Sequence, residues 1–212
     1  MKMRVIAVLV AVGFCCFAAQ AQVTVDYNAG FGTPAIADHT GTVLPDYFGN
    51  NVELGFFDTT GGYDFTAHLN DLPSLGSHWH QFDATNIKTL TVGTFSESGR
   101  FAATGTQFSS LFNGMHIDLW IFKTTDLFAP AVDFSNVLEY GIFSGSGANW
   151  TFPTQGTAPP GNTTTVQTDQ VNQFYVGSLV GGNLDLAPVP EPTGLALLGL
   201  GLVMVLGRRA RR

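Results

Sequence analysis

The sequence predicts an all-β fold, an antiparallel β-sandwich or jelly roll, lying between two end segments of different character. Three observations predict it. Short runs of β-branched and aromatic residues recur along the chain, Gly-rich punctuation separates them, and no segment carries a sustained apolar stripe of helical period.

Taken in order, residues 23–27 are the first predicted strand. Residues 52–57 and 63–69 flank Thr59-Thr60-Gly61-Gly62 and are predicted to pair as a hairpin, because glycine accepts the positive φ that tight turns need. Residues 88–95 alternate polar with mainly apolar side chains, and Ser96-Glu97-Ser98-Gly99 is predicted to turn them toward a strand over 100–103. The strongest strand follows Asn113-Gly114. In residues 115–122 the odd positions Met115, Ile117, Leu119 and Ile121 form an aliphatic face, and His116, Asp118, Trp120 and Phe122 lie opposite. Further strands are predicted over 138–143, 174–180 and 184–187, with Gly181-Gly182-Asn183 as the last turn. Residues 106–112 have room for one or two helical turns, and residues 154–167, with Pro159-Pro160-Gly161, read as an exposed loop.

The two ends read as addresses. Residues 1–21 combine Lys2 and Arg4, an apolar run over 5–18, and Ala19-Gln20-Ala21 as a small-x-small cleavage site, the pattern of a secretory signal peptide. Phe14 before Cys15, and Cys15 before Cys16, fill a place where a lipoprotein signal wants a small residue. At the other end, residues 193–207 carry no charge and are followed by Arg208, Arg209, Arg211 and Arg212. A helix of that length spans roughly 22 Å, short of the roughly 30 Å of a hydrocarbon core, so it suits a temporary hold better than a permanent anchor. The arginines should keep the extreme end cytoplasmic and place everything before Pro192 outside.

Pro190-Glu191-Pro192, the apolar span and the terminal arginine cluster together resemble the PEP-CTERM sorting signal of Gram-negative bacteria, over residues 189–212. The resemblance implies passage through the secretion translocon and a transient stay in the inner membrane. It further implies recognition by a membrane-embedded exosortase, loss of the hydrophobic tail, and delivery to the cell surface or exopolysaccharide matrix. The run 116–122, with Tyr140-Gly141-Ile142-Phe143 and Trp150-Thr151-Phe152-Pro153, is similar to exported PEP-CTERM proteins of uncharacterised function, and brings no catalytic residues with it.

Both cysteines, Cys15 and Cys16, leave with the signal peptide, so the exported domain, residues 22–188, must rely on one packed core without disulfides. Between residues 22 and 192 only Lys88, Arg100 and Lys123 oppose all sixteen Asp and Glu, an excess of thirteen negative charges. Such a surface repels nucleic acid and favours solubility.

No cofactor motif is present: phosphate-cradling glycine loops, a Gly-x-Ser-x-Gly elbow and an acidic calcium loop are all missing. His78-Trp79-His80 could turn two imidazoles to one side of a strand, with His68 or Asp83 as further partners. Two ligands do not make a site, and no metal is predicted. Trp79, Trp120 and Trp150 are the candidates for stacking on sugars, against the more ordinary fate of such rings in a core. The expected role is structural or adhesive and not enzymatic. A carbohydrate-binding, lectin-like module and a secreted glycan-active enzyme are the alternatives.

Overall fold

A computed structural model describes residues 21–130, 134–156 and 162–190. Of the predicted signal peptide over 1–21 all but Ala21 lies outside the described residues, as do Glu191, Pro192, the span 193–207 and the four terminal arginines. Among those described, no helix is long and apolar enough to cross a membrane.

The fold is all-β in several sheets, with few and short helices. The strands are β1 (Val23–Ala29), β2 (Ala35–Ala37), β3 (Val52–Phe57), β4 (Trp79–Thr85), β5 (Lys88–Val92), β6 (Phe95–Gln107) and β7 (Asp118–Thr124). They continue with β8 (Val137–Ser144), β9 (Asn162–Gln167), β10 (Gln173–Val176), β11 (Ser178–Val180), β12 (Asn183–Asp185) and β13 (Ala187–Pro188). One sheet has the order β5-β6-β1-β9 and a second β10-β8-β7-β3-β4, with β13 also on β8; β11-β12-β2 form a small third. Pairing is antiparallel except in two places. Strand β9 runs parallel to β1, with Val25 opposite Thr164, and β12 runs parallel to β2, with Leu184 opposite Ile36.

The inner face of β1 (Val23, Val25, Tyr27, Ala29) packs in one cluster with Val52 and Leu54 of β3, Leu119 and Ile121 of β7, and Phe143 of β8. Of the alternation predicted for residues 115–122, the part from Ile117 onward is present, while Met115 is exposed. Its opposite face is buried as well. Trp120 and Phe122, with Phe57, Tyr140 and Ile142, lie under Phe65, Leu69, Leu72 and Leu75 from the segment between β3 and β4. Each such fully buried side chain contributes roughly 1.5–3 kcal/mol, and residues 22–188 contain no cysteine that could add a disulfide.

That covering segment corrects one expectation. Residues 63–69 are not a strand: Phe65–His68 form a 3-10 turn and Leu72–Ser77 a six-residue helix, α1. Side-chain capping decides this. Asp64 Oδ1 accepts from the Thr66 amide at 3.0 Å, Asp71 Oδ1 accepts from Ser74 at 3.1 Å, and Pro73 sits in the first helical turn, where its missing N–H costs nothing. Strand β3 pairs instead with β4.

Other boundaries move too. The turn between β5 and β6 is at Gly93-Thr94, with Val92 opposite Phe95; Gly99, at φ 68°, lies within β6, where its pairing with β5 slips register between Lys88 and Leu90. Met115 and His116 precede β7 and are exposed, and the helical turn expected over 106–112 shrinks to Ser110–Phe112. The loop predicted over 154–167 ends in a strand, because Thr163, Thr164, Thr165 and Val166 suit pairing beside β1.

Residues 174–180 form two strands, broken at Gly177. Its φ is 91°, and a Cβ there would sit 2.4 Å from the Asp185 carbonyl oxygen, so only glycine lets the chain leave the second sheet for the third.

Candidate functional site

Where β2 ends, the sequence Asp38-His39-Thr40-Gly41-Thr42 folds into a tight turn around one carboxylate. Asp38 Oδ1 accepts from the Thr40 amide at 2.9 Å, the Thr40 hydroxyl at 2.6 Å and the Thr42 amide at 3.0 Å. Gly41 supplies the positive φ that closes the turn, at 81°. The turn holds His39 against β8, where its amide donates to Glu139 Oε2 at 2.7 Å and its Nδ1 lies 3.1 Å from Glu139 Oε1.

Lys123 and Glu139 are cross-strand partners in β7 and β8. The Lys123 ammonium donates to Glu139 Oε1 at 2.5 Å and to Asp38 Oδ2 at 3.1 Å, tying the second sheet to the β2 turn. Burial alone would raise the Asp38 carboxyl, but the hydrogen bonds from Thr40, Lys123 and Thr42 together outweigh it and hold the group below its usual range. Burial works against the Lys123 charge, and its bonds to Glu139 and Asp38 more than offset that, raising its pKa.

Beside this cluster opens a cleft of about 410 Å3. His39 and Thr40 line one side; Ser178 and Val180 of β11, Asp185 of β12, and Pro188 of β13 line the rest. Asp185 is only 6% exposed, and its Oδ1 has no hydrogen-bond partner among the described residues. Burial raises its pKa, and the nearby negative charge of Asp38 adds to that.

The three tryptophans do not form one platform. Trp150 is fully buried in the first core cluster and Trp120 in the second, which corrects their candidacy as sugar-stacking rings, since neither presents a face to solvent. Trp79 is half-buried and meets Trp120 edge to face at 5.4 Å. Asn149, next to Trp150, is the middle residue of the short 3-10 turn Ala148–Trp150.

His78 and His80 are also drawn apart. His78 stacks on Tyr63 at 3.5 Å, and Tyr63 stacks on His68 at 5.0 Å. His80 instead lies 3.5 Å from Asp58, and Asp83 accepts from the Tyr27 hydroxyl at 3.0 Å. Among the described residues no group of three His, Cys, Asp or Glu could hold a metal ion.

A second polar cluster sits at the start of β7. Ser144 donates to the Ile117 carbonyl at 2.5 Å, and His116 Nε2 lies 2.8 Å from the same hydroxyl. The Ser144 hydroxyl thus sits between the Ile117 carbonyl and the His116 ring. Asp118 beside it is 3% exposed, and burial pushes its carboxyl up to about 7, only partly opposed by hydrogen bonding from Ser144 and the Phe57 amide.

Sequence reasoning missed Asp38, His39, Glu139 and Asp185. The one local signal was Asp38 followed by Thr40, Gly41 and Thr42, the makings of a side-chain-capped turn. Compared with family models, with curated proteins and with solved structures, the chain has no match.

Proposed function

We propose that this chain is an exported protein of the cell surface or extracellular matrix of a Gram-negative bacterium, with a structural or adhesive role in the exopolysaccharide layer. The observation that carries this reading is the tripartite C-terminal segment: Pro190-Glu191-Pro192, the uncharged span 193–207 and the terminal arginines. The secretory pattern at residues 1–21 and the acidic, cysteine-free domain between the ends support it. In this reading the translocon and then an exosortase are transient partners, and the inner membrane is a way station. The domain is a β-sandwich, a form supported by the two large sheets that share one core. It acts by binding and not by catalysis.

Intact-mass measurement of the protein from its native host tests the reading. A product that begins at Gln22 and has lost the residues after Pro192 is expected. A product still ending at Arg212 overturns it.

A second reading, a carbohydrate-binding module, is favoured by the cleft beside Asp185, whose lining combines polar His39, Thr40 and Ser178 with apolar Val180 and Pro188.

A further inference from the structure

We propose that Gln22 is a modification site: once the chain is cut after Ala21, the Gln22 side chain closes on the new α-amine and the mature protein begins with pyroglutamate. The cut itself belongs to the export reading, on which this rests.

The fold fixes where the mature chain begins. Strand β1 is paired on both sides from its first residue, with Val23 opposite Gln107 of β6 and Asn162 of β9, and Val23 is fully buried. Gln22 stands just before that pairing and is partly buried. Its amide donates to the Gly156 carbonyl at 3.1 Å, and its carbonyl accepts from the Gly156 amide at 3.1 Å. A peptidase that trims a chain end has to draw the terminal residue and its neighbour out into its own cleft, and the double pairing of Val23 opposes this. Gln22 therefore stays terminal for as long as a slow reaction needs.

The anchorage survives the cut. Gln155 Nε2 donates to the Ala21 carbonyl at 3.3 Å, but it also donates to the Phe108 carbonyl at 2.6 Å, and the Gln155 amide donates to Asn113 Oδ1 at 3.0 Å. Loss of Ala21 leaves the last two bonds, and with them the placing of Gly156 beside Gln22.

A terminal glutamine carries both reactants. A free α-amine titrates at roughly 7.7–8.0, so roughly a tenth of it is neutral at pH 7. The neutral nitrogen attacks Cδ of its own carboxamide, an intramolecular step through a five-membered ring that gains from the high effective concentration of its partner. A bond forms between the α-nitrogen and Cδ, one proton passes from that nitrogen to Nε2, and the Cδ–Nε2 bond breaks to release ammonia. Nothing is oxidised or reduced, and no co-reactant is consumed. The Gln22 carbonyl takes no part, so the bond it accepts from the Gly156 amide is compatible with the product. The closed end has no α-ammonium for an aminopeptidase to hold.

Chymotryptic mapping of the protein from its native host, with free amines labelled at harvest and before digestion, tests this. The peptide ending at Tyr27 should start at Gln22, carry no label at its end, and be lighter by one ammonia than its encoded sequence. Pyroglutamyl aminopeptidase should remove its first residue. Gln22→Asn, whose shorter side chain could close only a strained four-membered ring, should start at the substituted residue and take up the label in full. A wild-type peptide that starts at Gln22 with a labelled amine overturns the proposal and leaves the export reading standing. A start at any later residue, or a Gln22→Asn end blocked like the wild type, does the same. A chain that still carries the residues before Gln22 overturns both.

Discussion

Lys123 and Glu139 face each other across β7 and β8, and the same ammonium reaches Asp38 at the end of β2. One lysine thus joins the second sheet to the third and neutralises part of two carboxylates whose side chains are 5% and 14% exposed.

Lys123→Met should therefore strand both carboxylates. Breaking a buried pair from one side costs about 3–5 kcal/mol, and partial exposure here lowers the expected loss to about 2–3 kcal/mol at neutral pH, read by urea denaturation. The loss should shrink in acid. Asp38 has a depressed folded pKa, so its contribution is present above its ordinary 3.8 and disappears as pH falls through the lower folded value. A loss that stays constant between pH 7 and pH 2 would assign the effect to packing of the lysine stem instead.

Asp118→Asn should behave in the opposite sense. The folded carboxyl titrates at about 7 against an ordinary 3.8, so the folded state holds its proton longer than the unfolded chain. Wild-type stability is therefore lost progressively as pH rises between those values. The asparagine variant escapes that loss. It should match the wild type below pH 4 and exceed it at pH 8, by at most about 4 kcal/mol at about 1.4 kcal/mol per pH unit. Thermal melts of both proteins across that range decide it, and a variant less stable at pH 8 would refute the assignment.

Gly177→Ala and Gly181→Ala separate collision from backbone strain. Both glycines have positive φ, but an added Cβ meets the Asp185 carbonyl at position 177 and nothing within 4 Å at position 181. Gly181→Ala should cost about 1 kcal/mol. Gly177→Ala should cost about 2–3 kcal/mol or more and also disturb the Asp185 cleft. Equal melting temperatures for the two variants would show that the backbone at Gly177 relaxes freely.

Trp120→Ala should unfold the domain more readily and not act as a ligand-contact mutation. The ring lies among Phe57, Trp79, Phe122 and Phe134, with centroids 4.9 to 5.4 Å away. Removal of such a ring costs about 3–5 kcal/mol. Retention of full stability together with loss of glycan binding would return Trp120 to the surface role first considered for it.

Much of the strand content was legible because alternation is local: Ile117, Leu119 and Ile121 against Trp120 and Phe122 sort correctly onto two faces. What alternation cannot say is whether the second face is covered. The sequence left that face mixed, with His116 and Asp118 beside Trp120 and Phe122; the segment between β3 and β4 folds over it, and Asp118 is buried. That segment was misread because Gly61-Gly62 signalled a hairpin, while the stronger instruction lay in the capping residues Asp64 and Asp71. The candidate site was hidden for a different reason. Asp38, Glu139 and Asp185 are far apart along the chain: the parallel pairing of β2 with β12 brings Asp185 near the Asp38 turn, and Lys123 and His39 tie that turn to Glu139 on β8, none of which leaves a local trace.

That long-range pairing also sets a timetable. Strand β1 needs β9, and β2 needs β12, so the earliest strands of the domain are completed only by the latest. Contacts so distant in sequence form slowly, since loop-closure entropy must be met before they stabilise anything. Strand β1 can pair with β6 well before β9 is made, whereas β2 stays without its β12 neighbour until the end of the domain has been synthesised. Under the proposed export route, the third sheet is therefore the part that stays open until the last strands have crossed.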